Sequence, residues 1–251
     1  MNAPLTYPFG RLLQRRDPSA STRRPLFVLG AYPSALHVEW RPAAGRLVRA
    51  IPVDDEPDPF WNGADAQERV AAWLDWLRPS PAKHGTFSLP ARLNGPSGSW
   101  VDDNVLRPLG YDRGDACITD CLDTYRMSVG VEARIRDTYM TSGLPPCSLA
   151  SHPSESDIVR ESLEHHRDRL LADLGRCHPR IVVTLGNAAA RVLASIVAVP
   201  QAKLSIIDYG EPRRVTLGER PITWYPLAHP AAPEVYQEAH TKWVANQEEC
   251  N

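Results

Sequence analysis

Three short segments place chemically capable side chains directly after apolar runs. Leu29-Gly30-Ala31-Tyr32-Pro33-Ser34 begins with a glycine that admits close backbone approach to a ligand, and Pro33 stiffens the loop. Ile118-Thr119-Asp120 ends in a carboxylate, and Pro226-Leu227-Ala228-His229-Pro230 carries an imidazole. Taken singly, these segments also fit an ordinary strand-to-loop turn, a loop cap and a backbone-satisfied histidine. His37 and Glu39 flank Val38, so on a strand they share a face. They are either a charged pair able to position water or a surface hairpin pair. Phe60 and Trp61, in a Pro-rich acidic loop, are either stacking platforms or core plugs. There is no P-loop, no Gly-x-Gly-x-x-Gly after a strand and no nucleophile elbow. His165 and His166 are adjacent on a helix and diverge, so a solvated helix face is expected there rather than a metal pair.

The elements that must position these groups alternate between strand and helix. Strands are expected at 25–30, 116–119, 180–185 and 222–227, the first and third as continuous apolar runs of the fully buried kind. Segments 37–40 and 46–53 read as a hairpin, and two short strands are expected within 203–217. Helices are expected at 65–78 with Asp65 as N-cap, at 100–109 ending before Gly110, at 155–176, after Gly186-Asn187, and at 233–247. Segments 79–99 and 122–154 read as irregular. The pattern implies an α/β fold with a mostly parallel sheet and helices on both faces, in which ligands bind at the carboxyl ends of the strands. Residues 1–24 read as a flexible arm and 25–251 as one domain.

The chain has 251 residues, 43% of them hydrophobic, enough for a sizeable core. It carries 28 Lys+Arg against 30 Asp+Glu, a net charge of −2, which excludes a globally basic nucleic-acid binder but not a local basic patch. No apolar run is long enough to span a bilayer or serve as a signal peptide, so a cytoplasmic protein without membrane association is expected. The five cysteines lack any Cys-x-x-Cys, and Cys117 and Cys121 are expected as core thiols. No metal site or cofactor is expected.

In this order, the three motifs resemble the uracil-DNA glycosylase superfamily. Its members carry Gly-x-x-Pro-x after the first buried strand, a polar residue after a middle strand, and His-Pro after the last. The resemblance covers most of residues 25–247. It extends to Gly95-Pro96-Ser97-Gly98-Ser99-Trp100, like the Ser-Gly stretch opening a helix in two subfamilies, and to the strand and helix of 179–190. It implies a three-layer α/β/α sandwich and a monomeric, monofunctional DNA glycosylase that flips a pyrimidine and hydrolyses its glycosidic bond. The four-cysteine iron–sulfur cluster of those subfamilies is not expected, since no cysteine precedes Cys117. Ala31 and Tyr32 stand where relatives often place an acid or amide, so water activation falls to other groups. His37 with Glu39 is the first candidate, and Asp58, Asp120 and Asp123 are the others.

The resemblance also assigns roles. His229 would donate to the pyrimidine O2 as negative charge builds on the leaving base. Asp120 stands where relatives carry the base-reading Asn; ionised, it only accepts, which disfavours uracil O4 and suits the cytosine N4 amino group. Ser34 replaces the bulky ring that excludes C5 substituents in the most selective uracil enzymes. Together these changes point to a C5-modified cytosine, as found in phage DNA. Gly30, Ala31, Tyr32, Pro33, Ser34, Phe60 and Trp61 would line the base pocket. Arg23, Arg24, Arg126, Arg213 and Arg214, with Ser97 and Pro230, are candidate DNA contacts; solvated surface arginines are the alternative. The loop after His229-Pro230 lacks a bulky wedge, leaving Tyr236 or another loop for that role. Two other functions fit the same sheet: uracil excision in base-excision repair, and a non-catalytic nucleic-acid- or nucleotide-binding module. A nucleoside hydrolase or transferase on a similar sheet is a third.

Overall fold

Leu26–Gly30 forms the first strand, β1, and is buried at all five positions, as an interior strand built from one apolar run requires. The computed structural model describes residues 4–15, 23–91, 93–200 and 204–249. After β1 come β2 (Ala35–Arg41), β3 (Val48–Asp55), α1 (Ala66–Leu77), α2 (Pro81–His84), β4 (Thr86–Ser88) and α3 (Pro96–Val101). Next are β5 (Ala116–Asp120), α4 (Val129–Arg134), α5 (Glu155–Glu161), α6 (Arg167–Cys177), β6 (Ile181–Leu185) and α7 (Asn187–Ile196). The chain ends with β7 (Arg213–Leu217), β8 (Arg220–Leu227) and α8 (Glu234–Glu248). It is a mixed α/β protein, and no helix among the described residues is long and apolar enough to cross a membrane.

Where the sequence reads as one domain after residue 24, the structure divides the chain into two compact, interleaved units. One unit holds 97–123 and 153–249, with the stretch ending at Tyr32. Its five-stranded sheet runs β5-β1-β6-β8-β7; the first four are parallel and β7 returns antiparallel. Helices flank it, with α6 packed on β1 and α7 on β6. Leu29, Leu170, Leu174, Val182, Leu193 and Trp224 lie in its core. Trp224 is fully buried and its Nε1–H donates to Thr184 Oγ1 at 2.9 Å, so the largest ring in the sheet leaves no orphaned donor. Of the two strands expected within 203–217, only β7 forms among the described residues.

The other unit holds 33–96 and 124–152 together with 4–15. Its sheet, β3-β2-β4, is antiparallel, and the expected hairpin is β2–β3. Its core is aromatic. The ring of Phe9 meets Trp40, Trp73, Phe87 and Tyr139 edge-on, with centroids 5.0–5.7 Å apart. Tyr139 Oη accepts from the Phe9 N–H and donates to the Pro145 carbonyl, both at 2.7 Å. Residues 4–15 are therefore not the loose arm the sequence suggests, because Tyr7 and Phe9 are interior groups of this core. Residues 16–22 lie outside the described residues.

The stretch 122–154 also departs from expectation. It contains α4, which runs on through a π turn at Ile135–Tyr139. Val131, Ile135 and Tyr139, four apart, bury one face. Asp65 precedes α1 but makes no capping bond; its carboxylate accepts from Trp61 Nε1–H at 2.7 Å and pairs with Arg69.

Phe9→Ala should empty a site bounded by four aromatic rings and lower stability by about 3–5 kcal/mol. Urea unfolding followed by Trp fluorescence tests this; a loss below about 1 kcal/mol would mean that residues 4–15 are not part of the core.

Candidate functional site

The parallel register brings the carboxyl ends of four strands to one edge. Gly30 sits beside Asp120, and Leu185 beside Leu227. The chain after β1 stays tied to the chain after β5: Cys121 N–H donates to Gly30 O and Leu122 N–H to Ala31 O, each at 3.0 Å. Asp120 is buried, 2% exposed. Arg169, on α6, fixes the backbone there. Its Nη2 donates to the carbonyls of Asp120 at 2.6 Å and Cys121 at 2.9 Å, and its Nη1 to Thr119 Oγ1 at 3.1 Å and Asp173 Oδ2 at 3.3 Å. Sequence reasoning misses Arg169, since nothing in an amphipathic helix marks which arginine turns inward.

His229 comes directly after β8. The backbone before it is held by a directional chain. His240 Nε2 lies 2.9 Å from the Asn104 carbonyl, which can only accept, so that nitrogen carries the proton. His240 Nδ1 therefore accepts from Tyr209 Oη–H at 2.8 Å, and Tyr209 Oη accepts from the Ala228 N–H at 3.0 Å. Burial keeps the His240 ring below its usual pKa, opposed by its bond to Asn104.

His229 resolves its own tautomer the same way. The Ala231 N–H donates to Nδ1 at 3.1 Å, so the proton of the neutral ring is on Nε2. Burial lowers its pKa below the ordinary value and favours that neutral form. Gly186, between β6 and α7, has φ +90° and lies beside it: a Cβ there would lie 3.6 Å from His229 Cβ, so backbone conformation rather than space reserves the position for glycine. The N-terminus of α7 comes next, a partial positive charge at the same end of the sheet. Asp120 and His229 sit on strands three steps apart, roughly 14 Å at ~4.8 Å per step. Gly30, Ala31 and Tyr32 lie between them in strand order, the last two partly buried.

Pro33 and Ser34 continue this motif into the other unit, where the Ser34 N–H donates to Glu56 Oε1 at 2.9 Å. Glu56 is only 7% exposed. The sequence hides it within Asp54-Asp55-Glu56-Pro57-Asp58, where a buried carboxylate looks like its exposed neighbours; Asp58 is exposed.

Several expectations are corrected in that unit. His37 and Glu39 do share a face of β2, but they form no charged pair. Glu39 accepts from Ser88 Oγ at 3.3 Å. Burial, reinforced by Arg134 and opposed by a bond to Ala35, brings His37 down to about 4. Asn94 fixes the His37 backbone, accepting from its N–H at 2.8 Å and donating to its carbonyl at 2.9 Å. Phe60 and Trp61 are both buried, and Trp61 belongs to the aromatic core with Arg69 over its ring at 5.7 Å. The core-plug alternative holds, because the burial that stabilises these rings removes the open face a stacked base would need.

The candidate DNA contacts scatter. Arg23 and Arg24 precede β1, at the amino end of the strand that ends in Gly30, and so lie at the opposite edge of the sheet from Asp120 and His229. Arg213 covers the Trp224 ring at 5.4 Å and pairs with Asp208, so it serves the fold. Arg214 is exposed on the edge strand β7, Arg126 is half-buried in the other unit, and Ser97 lies in the first turn of α3. The Pro230 carbonyl accepts from Gln237 Nε2, and Tyr236 Oη donates to the Leu204 carbonyl, which ties down the proposed wedge. His166, expected on a solvated face, is buried with Nε2 3.8 Å from Asp123 Oδ1. Cys117 and Cys121 are buried and neither is in a disulfide.

No family model matches the chain, and no curated protein is significantly similar to it.

The folded His37 takes up its proton only near pH 4, whereas the unfolded chain does so near 6.5. Its contribution is therefore present above pH 6.5 and lost as pH falls toward 4, reaching about 3 kcal/mol. His37→Gln should flatten the fall in stability between pH 7 and 4.5, measured by urea unfolding. An unchanged slope would show that His37 is not kept neutral by the fold.

Proposed function

We propose that this protein is a monofunctional DNA glycosylase of the uracil-DNA glycosylase kind, built as an α/β/α sandwich, acting in the cytoplasm as a monomer on DNA that contains a C5-modified cytosine. The observation that carries the reading is the state of His229: a neutral imidazole whose only proton is on Nε2, at the carboxyl edge of a parallel sheet. Departure of a pyrimidine breaks the N1–C1′ bond and leaves the electron pair on the base. A neutral Nε2–H placed at O2 stabilises that anion without having to give up its proton. Water supplies the hydroxyl at C1′ and passes a proton to a carboxylate. The partial positive end of α7 favours the same developing charge.

The remaining roles rest on hydrogen-bond polarity. Asp120, ionised, accepts from the exocyclic amino group of cytosine and repels the O4 of uracil. Its backbone is held by Arg169, so its position does not depend on the ligand. Asp123, three residues on, is the other carboxylate that supports water activation from this unit, and it replaces the His37–Glu39 pair, whose imidazole is neutral. A serine at position 34, in place of a bulky ring, supports a substrate with bulk at C5. Glu56 holds the Ser34 amide and acts as a positioning residue for the end of the first motif.

Abasic-site formation on three DNAs tests the reading: uracil-substituted, unmodified, and phage DNA bearing glucosylated hydroxymethylcytosine. Abasic sites are expected in the phage DNA alone. His229→Ala should lower the rate about 10²–10³-fold. Asp120→Asn regains both a donor and an acceptor and should shift preference toward uracil. Asp123→Asn should slow cleavage without changing the preferred base. Activity on uracil DNA by the native chain would keep the glycosylase and overturn the base assignment. DNA binding with no base release from any of the three, unchanged in His229→Ala, would instead identify a binding module, a reading favoured by the absence of a carboxylate at Ala31 and Tyr32.

A further inference from the structure

At the amino edge of the parallel sheet, away from Asp120 and His229, lies a cavity of about 570 Å3. Its lining is Arg23, Arg24, Pro25, His178, Pro179, Arg180, Arg220 and Pro221. They come from three separate stretches of chain, just before β1, between α6 and β6, and at the start of β8. Four arginines line the same space, with no carboxylate among the lining residues. None of the four is in an ion pair among the described residues, whereas Arg113, Arg169, Arg176 and Arg213 of the same unit each have an acidic partner.

The frame of this cavity is fixed. Arg24 N–H donates to Cys177 O at 2.8 Å and Arg180 N–H to Pro25 O at 2.8 Å. Thr223 N–H donates to Arg180 O at 2.9 Å, so all three stretches are stitched together by backbone. Three prolines restrict the backbone around the opening. The end of α6 supplies a partial negative charge here, but about half an elementary charge does not balance four fixed cations. His178 adds a neutral donor, because desolvation and then Arg220 and Arg23 hold its pKa down.

We propose that this cavity is a binding site for a polyphosphate group, either free or carried by a nucleotide. Arginine forks match phosphate oxygens two at a time, and four arginines in one lining call for a ligand with several negative charges rather than one. The volume is within the range of small-molecule sites, roughly 300–1,000 Å3, which suits a compact anion. No Phe, Tyr or Trp is among the lining residues, so recognition rests chiefly on the phosphates. The site is independent of the glycosylase reading, since it uses none of the residues at the carboxyl edge.

Calorimetric titration of the full chain at about 0.1 M salt provides the test. Sodium tripolyphosphate, ATP and a short unmodified DNA duplex are compared. Saturable one-to-one binding of tripolyphosphate is expected, weakened by at least about tenfold in Arg180→Ala/Arg220→Ala. Arg214→Ala, which removes an exposed arginine outside the lining, should leave it unchanged. ATP binding more tightly than tripolyphosphate would make the ligand a nucleotide, and equal affinity would make it the polyphosphate alone. The double variant must match the native melting temperature in anion-free buffer; if it does not, Arg220→Gln alone is titrated in its place. The proposal is overturned by no saturable binding at 1 mM tripolyphosphate, by equal loss in Arg214→Ala, or by displacement of the anion only by duplex.

Discussion

The guanidinium of Arg169 is the constraint on which the carboxyl edge of the large sheet depends. It makes four hydrogen bonds, two of them to successive carbonyls just where β5 stops and the chain turns away. A strand end has unpaired carbonyls, and a buried one needs a donor. Arg169 is 13% exposed at its side chain, so these bonds are made largely out of water, where a charged donor is strong and costly to remove. Asp173 pairs with Arg169 and also with Arg176, which balances the buried cation. Helix α6 is thereby locked to β5, and the place of Asp120 is set by that lock and by its register with Gly30.

The same logic holds at the other side of that edge with neutral groups. Asn104, His240 and Tyr209 form a one-way chain of hydrogen bonds that ends on the Ala228 amide, the residue before His229. Charged near Asp120 and uncharged near His229, the two supports suit different tasks. The guanidinium beside β5 fixes the backbone of Asp120 through two carbonyls. A relay of neutral groups leaves the His229 ring free of any nearby fixed charge that would raise its pKa, and burial does the rest.

How far the sequence reveals this depends on the range of each interaction. β1, β6, β8 and the β2–β3 hairpin are legible because burial of a strand writes itself into consecutive or alternating residues. The helix over α5 and α6 is legible because its periodicity continues through the π turn at Ser162–His166. The motif ends Gly30, Asp120 and His229 are legible as strand ends once the strands are placed. What is hidden is pairing at a distance. Arg169 meets Asp120 across 49 positions, and Tyr139 meets Phe9 across 130. Neither residue type announces such a partner. Glu56 is hidden by composition, standing among four acidic residues of which it alone is buried. Phe60 and Trp61 mislead for the opposite reason: a loop position suggests exposure, but this unit builds its core from aromatic rings and draws Trp61 into it.

A parallel sheet makes its two edges chemically unlike, and the side chains at the two edges of this sheet differ accordingly. At the carboxyl edge the chain presents one buried carboxylate, one neutral imidazole and a glycine turn, with Arg169 committed to the backbone. At the amino edge it presents four guanidiniums not committed to any carboxylate among the described residues. Uncompensated like charges repel, so such a cluster opposes folding unless something offsets it. The backbone stitching of Arg24, Arg180 and Thr223 holds the cluster together against that repulsion. Arg113, Arg176 and Arg213 of the same unit, by contrast, each have an acidic neighbour. The near-neutral net charge of the whole chain conceals this separation, because the excess acid lies elsewhere. Charge in this fold is organised by sheet edge, and it is at the edge that ligand chemistry has to be read.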